Sequence, residues 1–267
     1  GSLSGYGITE GYSNVSVGYG ANQNTTTGNY NVAIGQSALI YNQTGNSNTA
    51  IGKGALEGAS GQSLGGNTAL GYDAGNDITT GDYNVFLGYQ AGDAITTGDN
   101  NIIIGRNADP SANNATNQIV IGYGATGIVD NSVTLGNTSN ESVFISSTAS
   151  TKPLVEIKNT TIDGNSGILK FAKDKGVAGA DGDDIGVIEF IGDDAGQTQT
   201  SFAKIVAEVS EADNTDEAGK LSLYVAESDG TNTALTAGLV LEGEHATNGE
   251  VDVTIGKGGD SVVSIPG

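Results

Sequence analysis

One phrase recurs eight times between residues 14 and 139: an Asn or its stand-in, three small or aliphatic residues, a Gly, two variable residues and an Ala. The copies read NVSVGYGA, NVAIGQSA, NTAIGKGA, NTALGYDA, NVFLGYQA, NIIIGRNA, QIVIGYGA and SVTLGNTS. Their glycines are Gly18, Gly35, Gly52, Gly71, Gly88, Gly105, Gly122 and Gly136, spaced by 17, 17, 19, 17, 17, 17 and 14 residues. A unit of that size is too small to bury its own apolar face, so units of this kind stack on one another as a solenoid. With one coil per unit and a strand spacing of about 4.8 Å, the repeat makes a rod roughly 34 Å long. The composition agrees: 43 Gly and only 15 Tyr and Phe, with no Trp, suit a thin, distributed β core.

Neighbouring strand residues point to opposite sides, so Val32 and Ile34 share one face and Ala33 takes the other. The face of Val15 and Val17, Thr49 and Ile51, Val85 and Leu87, Ile102 and Ile104, Ile119 and Ile121 is expected to line the inside of the coil. The opposite face, running Ser16, Ala33, Ala50, Ala69, Phe86, Ile103, Val120 and Thr134, is also mostly apolar. A strand apolar on both faces is buried on both. Soluble monomers rarely leave a continuous apolar stripe in water. Copies of the same chain are the simplest cover, and closed cyclic symmetry turns such a stripe into a shared core. The expectation is a homo-oligomer with Phe86, Ile103 and Val120 near its axis.

The remaining columns follow from coiling. Gly permits the backbone to turn at positive φ or approach closely. Three residues on, Ala21, Ala38, Ala55, Ala74, Ala91, Ala108 and Ala125, then Ser139, mark where two layers meet and only a small side chain fits. Asn14, Asn31, Asn48, Asn67, Asn84 and Asn101 are expected to take left-handed turns and to hydrogen-bond from coil to coil as a ladder. Segments such as ITTGDYN and ITTGDNN close each coil.

The organisation expected is a repeat domain over 1–146, a junction at 147–153 (STASTKP lies across it) and a β-rich, mainly antiparallel module over 154–267. In the last, LVEIKN, GILKFAKD, DIGVIEFIGDD, SFAKIVAEVS, GKLSLYVAES, AGLVLEG, VDVTIG and SVVSI read as strands between Gly- and Asp-rich turns. The fold class is therefore all-β. The opening GS, the lack of any Met and the strand-like SVVSIPG at the end read as a piece of a longer polypeptide.

Ten basic residues against 31 acidic ones give a formal charge of −21. Residues 1–150 carry ten acids and two bases; residues 151–267 carry twenty-one and eight. Nucleic acid and anionic membrane surfaces are not expected partners, since phosphate binding rests on Lys and Arg displacing counterions. No run of about eighteen apolar residues occurs. Without Cys there is neither a disulfide framework nor a thiolate metal site, which fits an extracellular particle.

The Asn, aliphatic, Ala, Ile, Gly pattern resembles the head repeats of trimeric autotransporter adhesins, the YadA-like left-handed parallel β-roll, a repeat also found in bacteriophage tail fibres. The resemblance covers about residues 14–139, and the Thr-Thr-Gly insertion departs from the shorter period of those relatives. The second half, with GILKFAKDKG, GVIEFIGDD and VDVTIGKG, looks like modules of phage fibres. The family implication is a homotrimeric virion fibre, extracellular, that meets or supports contact with a host-surface glycan or protein alongside other virion fibre or tail proteins. A bacterial trimeric surface adhesin is the alternative, and a polysaccharide depolymerase a third reading.

The search for chemistry ends without a catalytic site, a cofactor or a metal, and the chain is not expected to be an enzyme. His245 is the only histidine and reads as a turn residue, because no nucleophile motif accompanies it. Paired carboxylates of a glycosidase stand about 5 to 9 Å apart, but here the acids crowd into turns. Asp181, Asp183 and Asp184 in DGDD offer hard oxygens to Ca²⁺ yet lack the full EF-hand loop, and read as a hairpin turn. Tyr19, Tyr72, Tyr89 and Tyr123 follow the turning Gly, where a ladder of rings would either grip a glycan or cover a solenoid edge. The receptor-binding residues are unknown at this level.

Overall fold

In the computed structural model the chain divides into two compact units, Gly1–Thr151 and Lys152–Gly267. The structure describes residues 1–137, 139, 157, 168–173, 178–212, 217–228, 233–243 and 251–256. The expected junction at 147–153, and the strands expected at LVEIKN and SVVSI, lie outside the described residues apart from Ile157, which is in no strand. All regular elements among the described residues are β-strands.

The first unit is a parallel β-solenoid of about seven turns. Its strands are β1 (Val15–Val17), β2 (Val32–Ile34), β3 (Thr49–Ile51), β4 (Thr68–Leu70), β5 (Val85–Leu87), β6 (Ile102–Ile104), β7 (Ile119–Ile121) and β8 (Val133–Leu135). They form one sheet in sequence order, every neighbour parallel. The register runs straight through the middle residues Ser16, Ala33, Ala50, Ala69, Phe86, Ile103, Val120 and Thr134.

The two faces are the reverse of the sequence expectation. Ala33, Ala50, Ala69, Phe86, Ile103 and Val120 are wholly inaccessible inside the coil of a single chain. Val15, Val17, Ile34, Leu70, Leu87, Ile102, Ile121, Val133 and Leu135 face outward and are exposed. The physical reason is the period of two: the strand is entered from a buried Asn, so the residue two places on, the middle one, must share its inward side. The closed coil then takes a single inward side chain from each three-residue strand.

That Asn column forms the expected ladder. The Oδ1 of each Asn accepts the backbone N–H of the next: Asn14 from Asn31 at 2.9 Å, Asn31 from Asn48 at 3.0 Å, Asn48 from Asn67 at 3.0 Å, Asn67 from Asn84 at 2.8 Å, and Asn84 from Asn101 at 2.9 Å. Gln118 continues it onto Asn101 at 2.9 Å. The amide nitrogens donate sideways to carbonyls of the closing turn, as Asn84 does to Gly98 at 2.8 Å. From Asn31 onward the column is fully buried, so each amide must be satisfied within the stack. The left-handed turn expected at these Asn falls one residue earlier, at Ser13, Tyr30, Ser47, Tyr83 and Asn100 among others.

A second ladder, which sequence reading missed, runs two residues before the first. Asn29 accepts from the Tyr12 N–H at 2.9 Å, Asn46 from Asn29 at 2.8 Å, Asp82 from Gly65 at 2.6 Å, Asp99 from Asp82 at 2.7 Å and Asp130 from Thr116 at 2.9 Å. Its signal was the recurring TGN and TGD of the closing turn.

Inside the coil, volumes are matched from layer to layer. Ser16 accepts from the buried Asn22 amide at 2.9 Å, and Ala33 and Ala50 are accompanied by the buried Leu39 and Leu56 six residues on. Phe86 enters where the corresponding residues are Gly75 and Gly92: a Cβ on Gly75 would lie 2.5 Å from the ring, and one on Gly92 would overlap it. The alanines from Ala21 to Ala125 are fully buried as expected, whereas Ser139 is exposed. At Gly88, φ is +140°, and a Cβ would meet the Gly105 carbonyl oxygen at 2.6 Å, so the turning glycine is required twice over.

The second unit contains an antiparallel meander of β9 (Asp184–Asp193), β10 (Gln199–Glu211), β11 (Ala218–Ser228), β12 (Thr233–Gly243) and β13 (Val251–Ile255), in spatial order 13-12-11-10-9. The expected strand at GILKFAKD is not formed: residues 168–173 pair with no ladder, though Phe171 lies against Gly186. The register sorts side chains sharply. Leu223 stands between Ile205 and Leu239, with Ile188 beyond Ile205 and Ile255 beyond Leu239. Leu221 is flanked likewise by Ala207 and Leu241, with Val253 next. The opposite side carries the charges of the strand centres: Lys220 pairs with Glu208 at 3.3 Å, and the Lys204 ammonium sits 4.5 Å from the Tyr224 ring centre.

Candidate functional site: the outward face of the solenoid

Because the middle residue of every strand points in, its two neighbours point out, and the solenoid presents two parallel rows. One runs Val15, Val32, Thr49, Thr68, Val85, Ile102, Ile119, Val133; the other Val17, Ile34, Ile51, Leu70, Leu87, Ile104, Ile121, Leu135. No charged or amide side chain interrupts either row. Leu70 is 47% and Leu135 54% exposed. In a chain with 31 acids, a strip of sixteen uncharged residues, all aliphatic save two Thr, is a surface kept free of charge.

One residue past the turning Gly stands a mixed column of Tyr19, Gln36, Lys53, Tyr72, Tyr89, Arg106 and Tyr123. The four tyrosines are exposed, as expected for an edge. Tyr72 and Tyr89 stack with ring centres 5.0 Å apart and planes inclined by 8°. Lys53 Nζ lies 5.0 Å from the Tyr72 ring centre and 3.4 Å from its hydroxyl, which raises the lysine pKa above the usual value. The Arg106 guanidinium is 5.6 Å from both Tyr89 and Tyr123. Ring faces here meet one another and cations along the solenoid, so Tyr72 and Tyr89 have little free face to offer a sugar.

Acids gather at a solenoid edge after the Tyr column. Asp93 is pushed up to about 6, first by burial and then by the charge of Asp109 and a side-chain hydrogen bond with it. Glu57 is also raised, by burial and then by Asp73. In the second unit, Asp181 Oδ1 accepts the Ala212 N–H at 3.0 Å and Asp183 Oδ2 accepts the Ala180 N–H at 2.9 Å, while Lys173 pairs with Asp183 at 3.4 Å. DGDD is thus a turn feeding β9, not a hairpin between two strands, and the carboxylates of Asp181 and Asp183 are engaged by backbone. Among the described residues no three His, Cys, Asp or Glu side chains are grouped to hold a metal ion. His245 lies outside the described residues.

No family model, no curated protein and no solved structure matches the chain.

Proposed function

We propose that the chain is a structural and adhesive segment of a homotrimeric, left-handed β-roll fibre of the kind carried on bacteriophage tails, which reaches toward a host surface and acts by rigidity and multivalent contact. The observation that carries this reading is the uncharged double row of sixteen outward residues. Fully burying an aliphatic side chain is worth about 1.5–3 kcal/mol relative to exposure. A row that repeats at every coil suits copies lying side by side along the solenoid, since each coil then meets its own equivalent. A buried ladder of amides and a second, more exposed ladder of Asn and Asp side chains tie each coil to the next, which suits a stiff spacer. Three chains also let weak surface contacts act together without catalysis. The column from Lys53 to Tyr123 is edge cover in this reading, not a sugar platform.

Immunogold labelling with an antibody against this chain tests the assignment. Gold on the fibres of virions is expected. Gold on bacterial envelopes and none on virions would replace the phage fibre by a cellular adhesin, and shortening of host polysaccharide by the purified protein would make it an enzyme.

A further inference from the structure

In the solenoid, the residue before each ladder position bends through left-handed backbone. Gly66, Asn100, Asn117 and Asn131 hold that place with residue types for which the conformation is easy. Tyr30 and Tyr83 hold it too, at φ of +59° and +58°. A bulky side chain is strained there, and strain of this kind persists where something offsets it. Leu39 and Leu56 share the conformation, but both are wholly buried. Tyr30 is 55% and Tyr83 66% exposed, so burial offsets little of it at these two positions. We infer that Tyr30 and Tyr83 are the two walls of a binding bay for a short neutral glycan, whose floor is Ser47 and Gly66 on the two coils between them.

The bay is narrow, polar below and aromatic at both ends. Tyr30 and Tyr83 are three coils apart, about 14 Å along the solenoid. The Tyr83 ring leans back over Gly66, where a Cβ would lie 2.7 Å from Cδ1. What remains suits a disaccharide or a trisaccharide. Tyr12 meets Tyr30 edge-on, with ring centres 5.2 Å apart, planes at 82° and hydroxyls 3.3 Å apart. That contact steadies the Tyr30 ring and takes at most one of its faces. Ser47 and the neighbouring Asn46 are exposed. Asn46 Oδ1 accepts the Asn29 N–H at 2.8 Å and Asp82 Oδ1 the Gly65 N–H at 2.6 Å, which leaves Asn46 Nδ2 as a donor and Asp82 Oδ2 as an acceptor beside the Ser47 hydroxyl. A sugar matches this set, because its C–H faces stack on an amphipathic ring while its hydroxyls both donate and accept. Thr49 and Thr68, the only polar members of the outward rows, stand on the same two coils, two residues beyond Ser47 and Gly66. No Lys or Arg occurs among residues 29–32, 46–49, 65–68 and 82–85, so an anionic sugar would find no counter-charge and would meet Asp82.

The inference deepens the adhesive reading by naming what is gripped, and rests on it for the three copies that bind together. The test places the full-length protein on a printed array of short neutral oligosaccharides. The wild type is expected to be retained on at least one sugar, and the double variant Tyr30→Asn with Tyr83→Asn to bind that sugar at least about tenfold more weakly, as loss of an aromatic anchor does. The double variant should melt at the same temperature or higher, because Asn already holds this place in later coils and relieves the strain. Tyr19→Asn, which removes a comparably exposed ring at the other end of the strands, should bind as the wild type does. Undiminished binding by the double variant, or an array on which nothing is retained, would overturn the inference. A lower melting temperature or loss of the three-chain particle in the double variant would overturn it too, by making the two rings packing residues. A three-chain virion fibre that retains no sugar removes this inference and leaves the fibre reading; a single chain that binds sugar through both tyrosines does the reverse.

Discussion

Strand β5 is three residues long and buries Phe86 completely, whereas β10 is thirteen residues long and buries only Val206, at 3% exposure. The residues are of similar kind: branched aliphatics, Ala and Phe alternating across a pleat. What differs is closure. In the solenoid each strand is one wall of a coil whose other walls supply Leu39, Leu56, Ile78 and Ile95 from the same chain, so a single inward side chain per strand meets neighbours on all sides. Among the described residues the meander is a single layer, met at its β9 edge by Phe171 against Gly186, and the greater length of its strands adds little burial. Burial in this molecule is a property of the path of the chain and not of how apolar or how long a strand is. The solenoid completes its core within one chain, whereas the described residues of the meander leave most of its apolar side chains partly exposed.

Truncation of one side chain in each unit would break or sharpen that contrast. Phe86→Ala empties the space left by Gly75 and Gly92, and the backbone ladders on both sides prevent collapse, so a loss of about 3–5 kcal/mol in denaturant-induced unfolding of the solenoid is expected. Leu223→Ala should cost about 1–2 kcal/mol, because the side chain is only partly covered in one chain. Equal losses at the two positions would remove the distinction.

The smallest expected effect concerns the acidic edge. Asp93 titrates near 6 in the folded protein, above its ordinary value of 3.8, so between those values the folded state holds the proton that the unfolded state has released. Folded stability from this group is therefore present at low pH and falls as pH rises through that window. Asp93→Asn should raise the melting temperature at pH 7 and change it little at pH 4. The gain should stay below about 1 kcal/mol, since the site is open enough for solvent to screen it. A gain at pH 4 as large as at pH 7 would point away from charge.

Much of the first unit was legible because the repeat fixes everything that recurs: the number of coils, the parallel stacking, the Asn ladder and the buried Ala column. The sidedness of the strands was legible too, but from a different pair of residues than those first consulted. Reading Val32 and Ile34 as the inner pair uses hydrophobicity alone, and both sides of β2 are apolar. Starting from Asn31, whose ladder requires burial, and stepping two residues gives Ala33 as the inner residue at once. The pairing of Phe86 with Gly75 and Gly92 was open to the same inspection, since the glycines replace leucines in the copies before. In the second unit the alternation gave strands at β9 to β13 but also at GILKFAKD, which alternates equally well but whose described residues 168–173 join no ladder. Alternation shows what a strand would present on each side and not whether a neighbouring edge is available to receive it. Of the surface columns, the tyrosines were visible in sequence, while their stacking on one another and under Lys53 and Arg106 depends on the coil-to-coil spacing.

The outward double row is the feature on which the functional account depends, and the association state of the intact protein tests it most directly. Sedimentation equilibrium at micromolar concentration is predicted to find a three-chain particle that Leu70→Asp together with Leu87→Asp reduces toward single chains without loss of the β circular dichroism signal. A folded, soluble single chain at that concentration, with both leucines in place, would contradict it.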